Sequence, residues 1–193
     1  MKKLIVCLLA LSLMILSSPR TGLSADKMKD TTLQLSYTPI DIDLPTCPVR
    51  IAVVKFTESK PIKKLGQSKL FNYLPSMDIG TWMGKAVYAQ LRANGFDVEY
   101  FDTMDAAGDK FIITGIANKV YINRPGQLEM EYKVRIDGMV TKNNKLLFAQ
   151  NYTSKQKKEM TNTGDNAGKL MAGLHDIFSI FLPQAVKTIN DYN

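Results

Sequence analysis

The sequence contains few of the residues that build metal and nucleophilic centres. Its 193 residues include one histidine, His175, and two cysteines. A protein zinc site needs several His or Cys ligands, and a Ser-His-Asp hydrolase needs a serine on a sharp strand-to-helix turn. No serine in this sequence has that setting. We therefore predict no catalytic residue, no metal site and no cofactor, and a protein that is not an enzyme.

Long apolar segments are also missing. The longest apolar run covers residues 4–16 and is interrupted at Ser12, whereas a membrane-spanning helix needs about 20 apolar residues. Two lysines precede this run and small residues follow it up to Ala25, which is typical of a secretory signal. The sequence predicts a cleavable signal over residues 1–25 and an exported, periplasmic protein. An uncleaved anchor, and with it membrane association, is the alternative.

Cysteine is too scarce for a disulfide framework. Cys7 lies inside the apolar run and leaves with the signal, so Cys47 is the single cysteine of the mature chain. In a lipoprotein signal the lipid-bearing cysteine directly follows the apolar run. Cys7 lies too early for that position and Cys47 too late. We expect Cys47 to be a small buried hydrophobe, and intermolecular pairing is the alternative.

Charge of one sign is not concentrated anywhere in the sequence. The net charge is +7, and it falls to +4 without residues 1–25 because three basic residues and no acidic residue lie there. Nucleic-acid binding needs a dense basic face or stacking aromatics, and we predict none. The 45% hydrophobic content predicts one globular domain over residues 49–193. Residues 26–48, which contain three prolines, are predicted to be an extended lead-in with an edge strand over 33–37.

Hydrophobic periodicity predicts the elements of this domain. A two-residue period or a short apolar run indicates a strand, and a 3.6-residue period indicates a helix. Asp78 is predicted to cap the first helix, and Pro183 should kink or divide the last one. The expected fold is α+β, with a mostly antiparallel sheet of about five strands and two amphipathic helices on one face. The predicted order β-α-β-β-β-β-α has strands at 50–56, 96–101, 111–122, 128–136 and 146–155 and helices at 78–95 and 165–191.

The strand over 128–136 has the clearest alternation of apolar and charged residues. Tyr132 and Val134 lie on one predicted face, and Lys133 and Arg135 lie on the other. Because neighbouring side chains of a strand point to opposite faces, one face should be buried and the other should contact water.

The second half of the chain resembles a known family. The similarity rests on the strand at 126–136, the Asn-Asn-Lys turn at 143–145, the Asn-Tyr pair at 151–152 and the amphipathic helix that follows. The first helix and the Phe-Asp-Val step at 96–98 add to it. Over residues 50–190 the chain resembles the YajG-type lipoproteins of the Gram-negative cell envelope. The resemblance implies an envelope α+β domain of undefined biochemistry and supplies no active-site residues.

The long connection over residues 57–77 is the predicted interaction site. Connections of this length are often functional, and this one combines lysines with apolar residues that would contact an anionic membrane surface or a partner groove. In the alternative interpretation, its apolar residues fold back as a lid over the core. The candidate residues are Lys60, Lys63, Lys64, Lys69, Leu70, Phe71, Tyr73 and Leu74.

Three functions remain open from the sequence. The first is a non-catalytic cell-envelope accessory protein that binds a partner protein or a lipid, with peripheral membrane contact. The second is a periplasmic small-ligand carrier, whose pocket between sheet and helices would be lined by Met83, Met130 and Met171. The third is a hydrolase whose carboxylates come together only in the fold.

Overall fold

A computed structural model describes residues 28–68, 71–126, 129–159 and 165–193. The predicted signal, residues 1–25, lies outside these ranges. The described residues form nine strands and three helices. The strands are β1 (Lys29–Leu33), β2 (Ile51–Val54), β3 (Thr57–Glu58), β4 (Gly66–Gln67), β5 (Phe71–Pro75), β6 (Val98–Phe101), β7 (Phe111–Asn123), β8 (Glu129–Lys142) and β9 (Lys145–Glu159). The helices are α1 (Ile79–Ala93), α2 (Met104–Ala107) and α3 (Asn166–Tyr192).

The strands form one curled sheet that is organised around β7. Along one edge, β7 pairs antiparallel with β8, and β8 pairs antiparallel with β9. Along its other edge, β7 pairs in parallel with β2, β3 and β4 in turn. Beyond β2 the sheet continues with β6, and beyond β4 it continues with β5 and β1. The length of β7 therefore lets one strand bridge two halves of the sheet.

The predicted α+β class is confirmed, but the mostly antiparallel five-stranded sheet is wrong. The sheet is mixed, because β2 and β6 lie side by side in parallel with α1 as the crossover between them. A parallel pair requires such a crossover, whereas a tight turn can join only antiparallel strands. The predicted meander holds for β7, β8 and β9, where short turns do connect the strands.

The core lies between the sheet and the two long helices. Apolar side chains of α1 and α3 pack with the inner face of the sheet in one continuous cluster. On β8, Tyr132 and Val134 are 2% and 1% exposed and Arg135 is exposed, as predicted, whereas Lys133 on the outer face is half-buried. The short helix α2 covers a smaller cluster on the opposite face, around Ala52 and Val54. Pro183 lies within α3, which is one continuous helix and is not divided.

The N-terminal segment, residues 34–48, is part of the fold and not a mere lead-in. The edge strand β1 precedes this segment and does not lie at the predicted 33–37. The segment then runs along α1 and α3, where Leu35 and Ile42 are about 95% buried at 4% and 5% exposure. Gln90 on α1, itself fully buried, bonds the Tyr37 hydroxyl and both backbone groups of Ile40. Residues that look like a linker in the sequence thus close one side of the core.

Candidate interaction surfaces

The long connection at 57–77 is built from short strands. It contains β3, β4 and β5, each paired within the sheet. Residues 59–65, called here the lysine segment, join β3 to β4 along one edge of β7. The connection is therefore built into the sheet through three short strands that the sequence pattern did not indicate.

The lysine segment is fixed at both ends. At its start, the carboxylate of Glu58 accepts hydrogen bonds from the backbone N–H of Ile62 at 2.6 Å and of Ile79 at 2.9 Å. At its end, the Leu65 N–H donates to the Tyr73 carbonyl at 2.8 Å, and Leu65 itself is fully buried. The backbone between these anchors therefore presents its side chains in a defined arrangement. Glu58 also helps to cap α1, a role that sequence reasoning missed because 21 residues separate the partners.

The structure divides the predicted interaction residues into two groups. Lys60, Lys63 and Lys64 are exposed, and none of them forms an ion pair with an acidic side chain in the described ranges. Phe71 is 36% exposed, whereas Tyr73 is 8% exposed and packs in the core. Leu74 is half-buried, and Lys69 and Leu70 lie outside the described residues. The lid interpretation thus fits Tyr73, which folds back into the core, whereas the three lysines and Phe71 remain accessible.

The first turn of α1 lies beside the lysine segment. The predicted cap Asp78 accepts from the Thr81 N–H at 2.8 Å, and its carboxylate is 3.0 Å from the Lys55 ammonium. Burial acts to raise the pKa of Asp78, but the bond from Thr81 and the nearby Lys55 hold it below its usual value. With Glu58 on the first amides, this helix start already has two carboxylates and offers no free anion site.

A second surface lies at the far side of the sheet, along β9. Among the described strands, β8 alone pairs with β9, so the outer edge of β9 is open. A groove of about 360 Å³ separates this edge from α3, and its lining includes Tyr152, Thr153, Asp176, Ile177 and Ile180. Ile180 is 54% exposed although it is a large apolar side chain. Such an edge is a template for pairing with another strand.

Two of the lysines of β9 do not protect its edge. Lys155 reaches back across the outer face to Glu131 on β8 at 2.8 Å, and Lys157 reaches Glu129 at 3.5 Å. The hydrogen bond from Lys155 lowers the pKa of Glu131. Edge strands are commonly protected by outward-pointing lysines, and these two side chains instead lie over the neighbouring strand.

His175 has a structural environment. Its Nε2 lies 2.9 Å from the Thr38 carbonyl oxygen, and its ring packs edge-on against Tyr37 at 5.2 Å. The neighbouring Asp176 points to the other side of α3, where it accepts from Ser154 at 2.7 Å. His175 and Asp176 therefore do not act together. In the described ranges no group of three or more His, Cys, Asp or Glu side chains could hold a metal ion.

The three methionines of the carrier hypothesis do not surround one space. Met83 and Met130 are packed inside the continuous core at 0% and 6% exposure. Met171 is half exposed, and its sulfur accepts from the Thr38 N–H at 3.4 Å. Cys47 is a free thiol that is partly buried against the core. Across the described parts of the chain, no helix is both long and apolar enough to span a membrane.

Comparisons with known proteins support the fold. No protein-family model and no curated protein matches this chain. A Xanthomonas campestris protein of the DUF330 family has a similar structure, with a TM-score of 0.64 and 11% identity over 84% of this chain and 98% of that one. At this identity the likeness shows a shared fold and nothing further.

Two weaker likenesses involve other bacterial proteins. A PelC dodecamer from Paraburkholderia phytofirmans gives a TM-score of 0.46 and 11% identity over 72% of this chain and 93% of that one. Lipoprotein GNA1162 from Neisseria meningitidis gives a TM-score of 0.38 and 13% identity over 68% of this chain and 99% of that one. Likenesses this weak carry no conclusion about function. Membership of the YajG-type family is not shown by these comparisons and stays a prediction.

Proposed function

We propose that this chain is a non-catalytic accessory protein of the cell envelope, and that its lysine segment contacts anionic lipid headgroups. The observation that carries the proposal is the exposure of Lys60, Lys63 and Lys64 on a backbone that is anchored at both ends. An anchored segment loses little conformational freedom on binding, so more of the electrostatic attraction contributes to affinity.

Apolar side chains at the end of the sheet next to Lys64 add to the attraction, because Lys64 bonds Gln67 on β4 and β4 pairs with β5. Phe71 is 36% exposed and Met28 is 43% exposed, and Lys29 is paired with Phe71 in the strand register. Peripheral membrane contact combines basic residues with a few apolar side chains that enter the interface. This end is also where the chain continues toward residues 1–27, which contain the predicted signal or anchor.

Vesicle binding tests the proposal directly. The exported protein is centrifuged with vesicles of phosphatidylcholine alone or with about one-third phosphatidylglycerol, because each basic residue near an anionic surface contributes about 1 kcal/mol. We expect binding to the anionic vesicles alone, and we expect it to weaken as salt is added. Changing Lys60, Lys63 and Lys64 to Gln should reduce binding on the order of 100-fold.

A charge-matched control variant distinguishes binding by the lysine segment from binding by the net charge of the protein. Lys85, Arg92 and Lys145 are exposed elsewhere on the molecule, and their replacement with Gln removes the same three charges. Equal losses for the two triple variants would mean that net charge and not the lysine segment binds the surface. If the protein does not bind anionic vesicles but captures one envelope protein through Lys60, Lys63 and Lys64, the partner of the lysine segment is a protein and not a lipid.

A further inference from the structure

The open edge of β9 is accessible for strand pairing with a second copy of the same chain. Ala149, Asn151, Thr153 and Lys155 are exposed along it, and none of the described strands covers it. Alternate residues of an edge strand direct their N–H and C=O groups outward, where another strand can bond them.

We propose that two copies of this chain pair antiparallel through β9, around a twofold axis at Tyr152, so that their sheets join and their α3 helices pack together. This proposal is independent of lipid binding by the lysine segment. Residues equally distant from Tyr152 on either side become partners in this register. It uses the regular part of β9, since the pairing with β8 is interrupted near Val140 and Thr141.

Charge is compatible with this register. With the axis at Tyr152, Lys155 of one copy lies opposite Ala149 of the other, and no like charges face each other in the regular part of the strand. The acidic partners of Lys155 and Lys157 on β8 already neutralise these lysines within each copy.

The helices add the second argument. Helix α3 lies over both outer strands, because a Cβ on Gly173 would be 3.1 Å from Val134 on β8 and 3.6 Å from Ser154 on β9. Strands in a sheet are about 4.8 Å apart, so joining the edges would put the two α3 axes about 10 Å apart. Helices pack at about 8–10 Å, so the two α3 helices would be in contact.

Ile180 lies at the centre of that contact. It lines the groove beside Tyr152, so the twofold axis brings the exposed Ile180 of each copy next to the other. Asp176 precedes Ile180 by about one turn and Lys187 follows it by about two turns on the same side of the helix. Antiparallel helices would therefore bring the exposed Asp176 of one copy toward the exposed Lys187 of the other.

The expected affinity is moderate. Pairing about nine residues per copy gives a contact about 30 Å long, and with one helix layer it buries on the order of 600 Å² per copy. A stable specific interface buries about 800 Å² per partner, so we expect a dissociation constant in the micromolar range.

Sedimentation of the exported protein at about 1–100 µM tests the proposal, since this range brackets a micromolar dissociation constant. We expect a monomer–dimer equilibrium. Ala149→Lys opposes Lys155 with a like charge at two symmetric positions and should weaken the dimer roughly tenfold, whereas Ala149→Glu should strengthen it. Ala106→Lys is the matched control, because Ala106 is an exposed alanine on the distant helix α2.

Melting curves confirm that each variant is folded, which its exposed position predicts. Ile180→Glu provides a second measurement at the helix contact and should also dissociate the dimer. A protein that is monomeric at the highest concentration overturns the proposal. So do equal effects of Ala149→Lys and Ala149→Glu, which would mean that Lys155 is not opposite, or an equal effect of Ala106→Lys.

Discussion

Replacing Gln90 with methionine tests how the N-terminal segment is held against the helices. The Gln90 side chain is fully buried. Its Oε1 accepts from the Tyr37 hydroxyl at 2.7 Å and from the Ile40 N–H at 3.1 Å, and its Nε2 donates to the Ile40 carbonyl and to Asn94 Oδ1, both at 2.7 Å. Methionine has a similar length and shape but makes none of these bonds. The substitution therefore removes hydrogen bonds with little change in packing.

The expected loss in the free energy of unfolding follows from the number of groups that lose their hydrogen bond to Gln90. Each buried polar group left without a hydrogen bond costs about 1–3 kcal/mol. Tyr37, Ile40 and Asn94 are half-buried and regain some water, so we take the lower end for four groups and expect a loss of about 4 kcal/mol. With a urea dependence of about 2 kcal/mol per molar for a chain of this size, the midpoint should fall by about 2 M.

Urea unfolding followed by circular dichroism measures this shift. Gln150→Met is the control, because Gln150 is exposed on β9, and surface substitutions usually change the free energy of unfolding by less than about 0.5 kcal/mol. Proteolysis should also cut within residues 34–48 sooner in Gln90→Met than in the control. If both variants unfold at the same urea concentration, the N-terminal segment is not held by Gln90 and our account of it is wrong.

Three further predictions concern the core and its ionisation. Tyr132→Ala should lower the free energy of unfolding by about 3 kcal/mol because the Tyr132 ring is buried. Lys133→Ala should change it by less than about 0.5 kcal/mol, and urea unfolding measures both values. Gly80→Ala should cost about 3 kcal/mol because its Cβ would lie 1.9 Å from a backbone carbonyl oxygen, whereas a Cβ at Gly126 meets nothing within 4 Å. Equal melting temperatures for Gly80→Ala and Gly126→Ala would contradict this close packing at Gly80. Burial raises the pKa of Tyr132 and Tyr152 to about 12. Above pH about 10 the folded state then binds more protons than the unfolded chain, so the contribution of these two tyrosines to stability should be constant below that pH. Stability should fall from there toward pH 12, less steeply in Tyr152→Phe.

The features that were predictable from the sequence are those with local causes. Asp78 caps a helix that begins at the next residue, and the bond it accepts comes from Thr81, three residues away. The burial of Tyr132 and Val134 follows from a two-residue period along one strand. Amphipathic periodicity placed α3 within one residue of its observed ends. Local hydrogen bonds and periodicity act over a few residues, so a linear sequence displays them directly.

The arrangement of these elements depended on contacts that are distant in the chain. Whether β2 and β6 are parallel depends on where α1 packs, and the short strands β3, β4 and β5 exist because β7 offers them an edge. Gln90 bonds residues that are 50 and 53 positions away. Nothing in the sequence around 145–159 indicates that β9 has one neighbour and not two. These features come from the packing of the whole sheet, because a strand becomes an edge only when the positions of all the other strands are fixed.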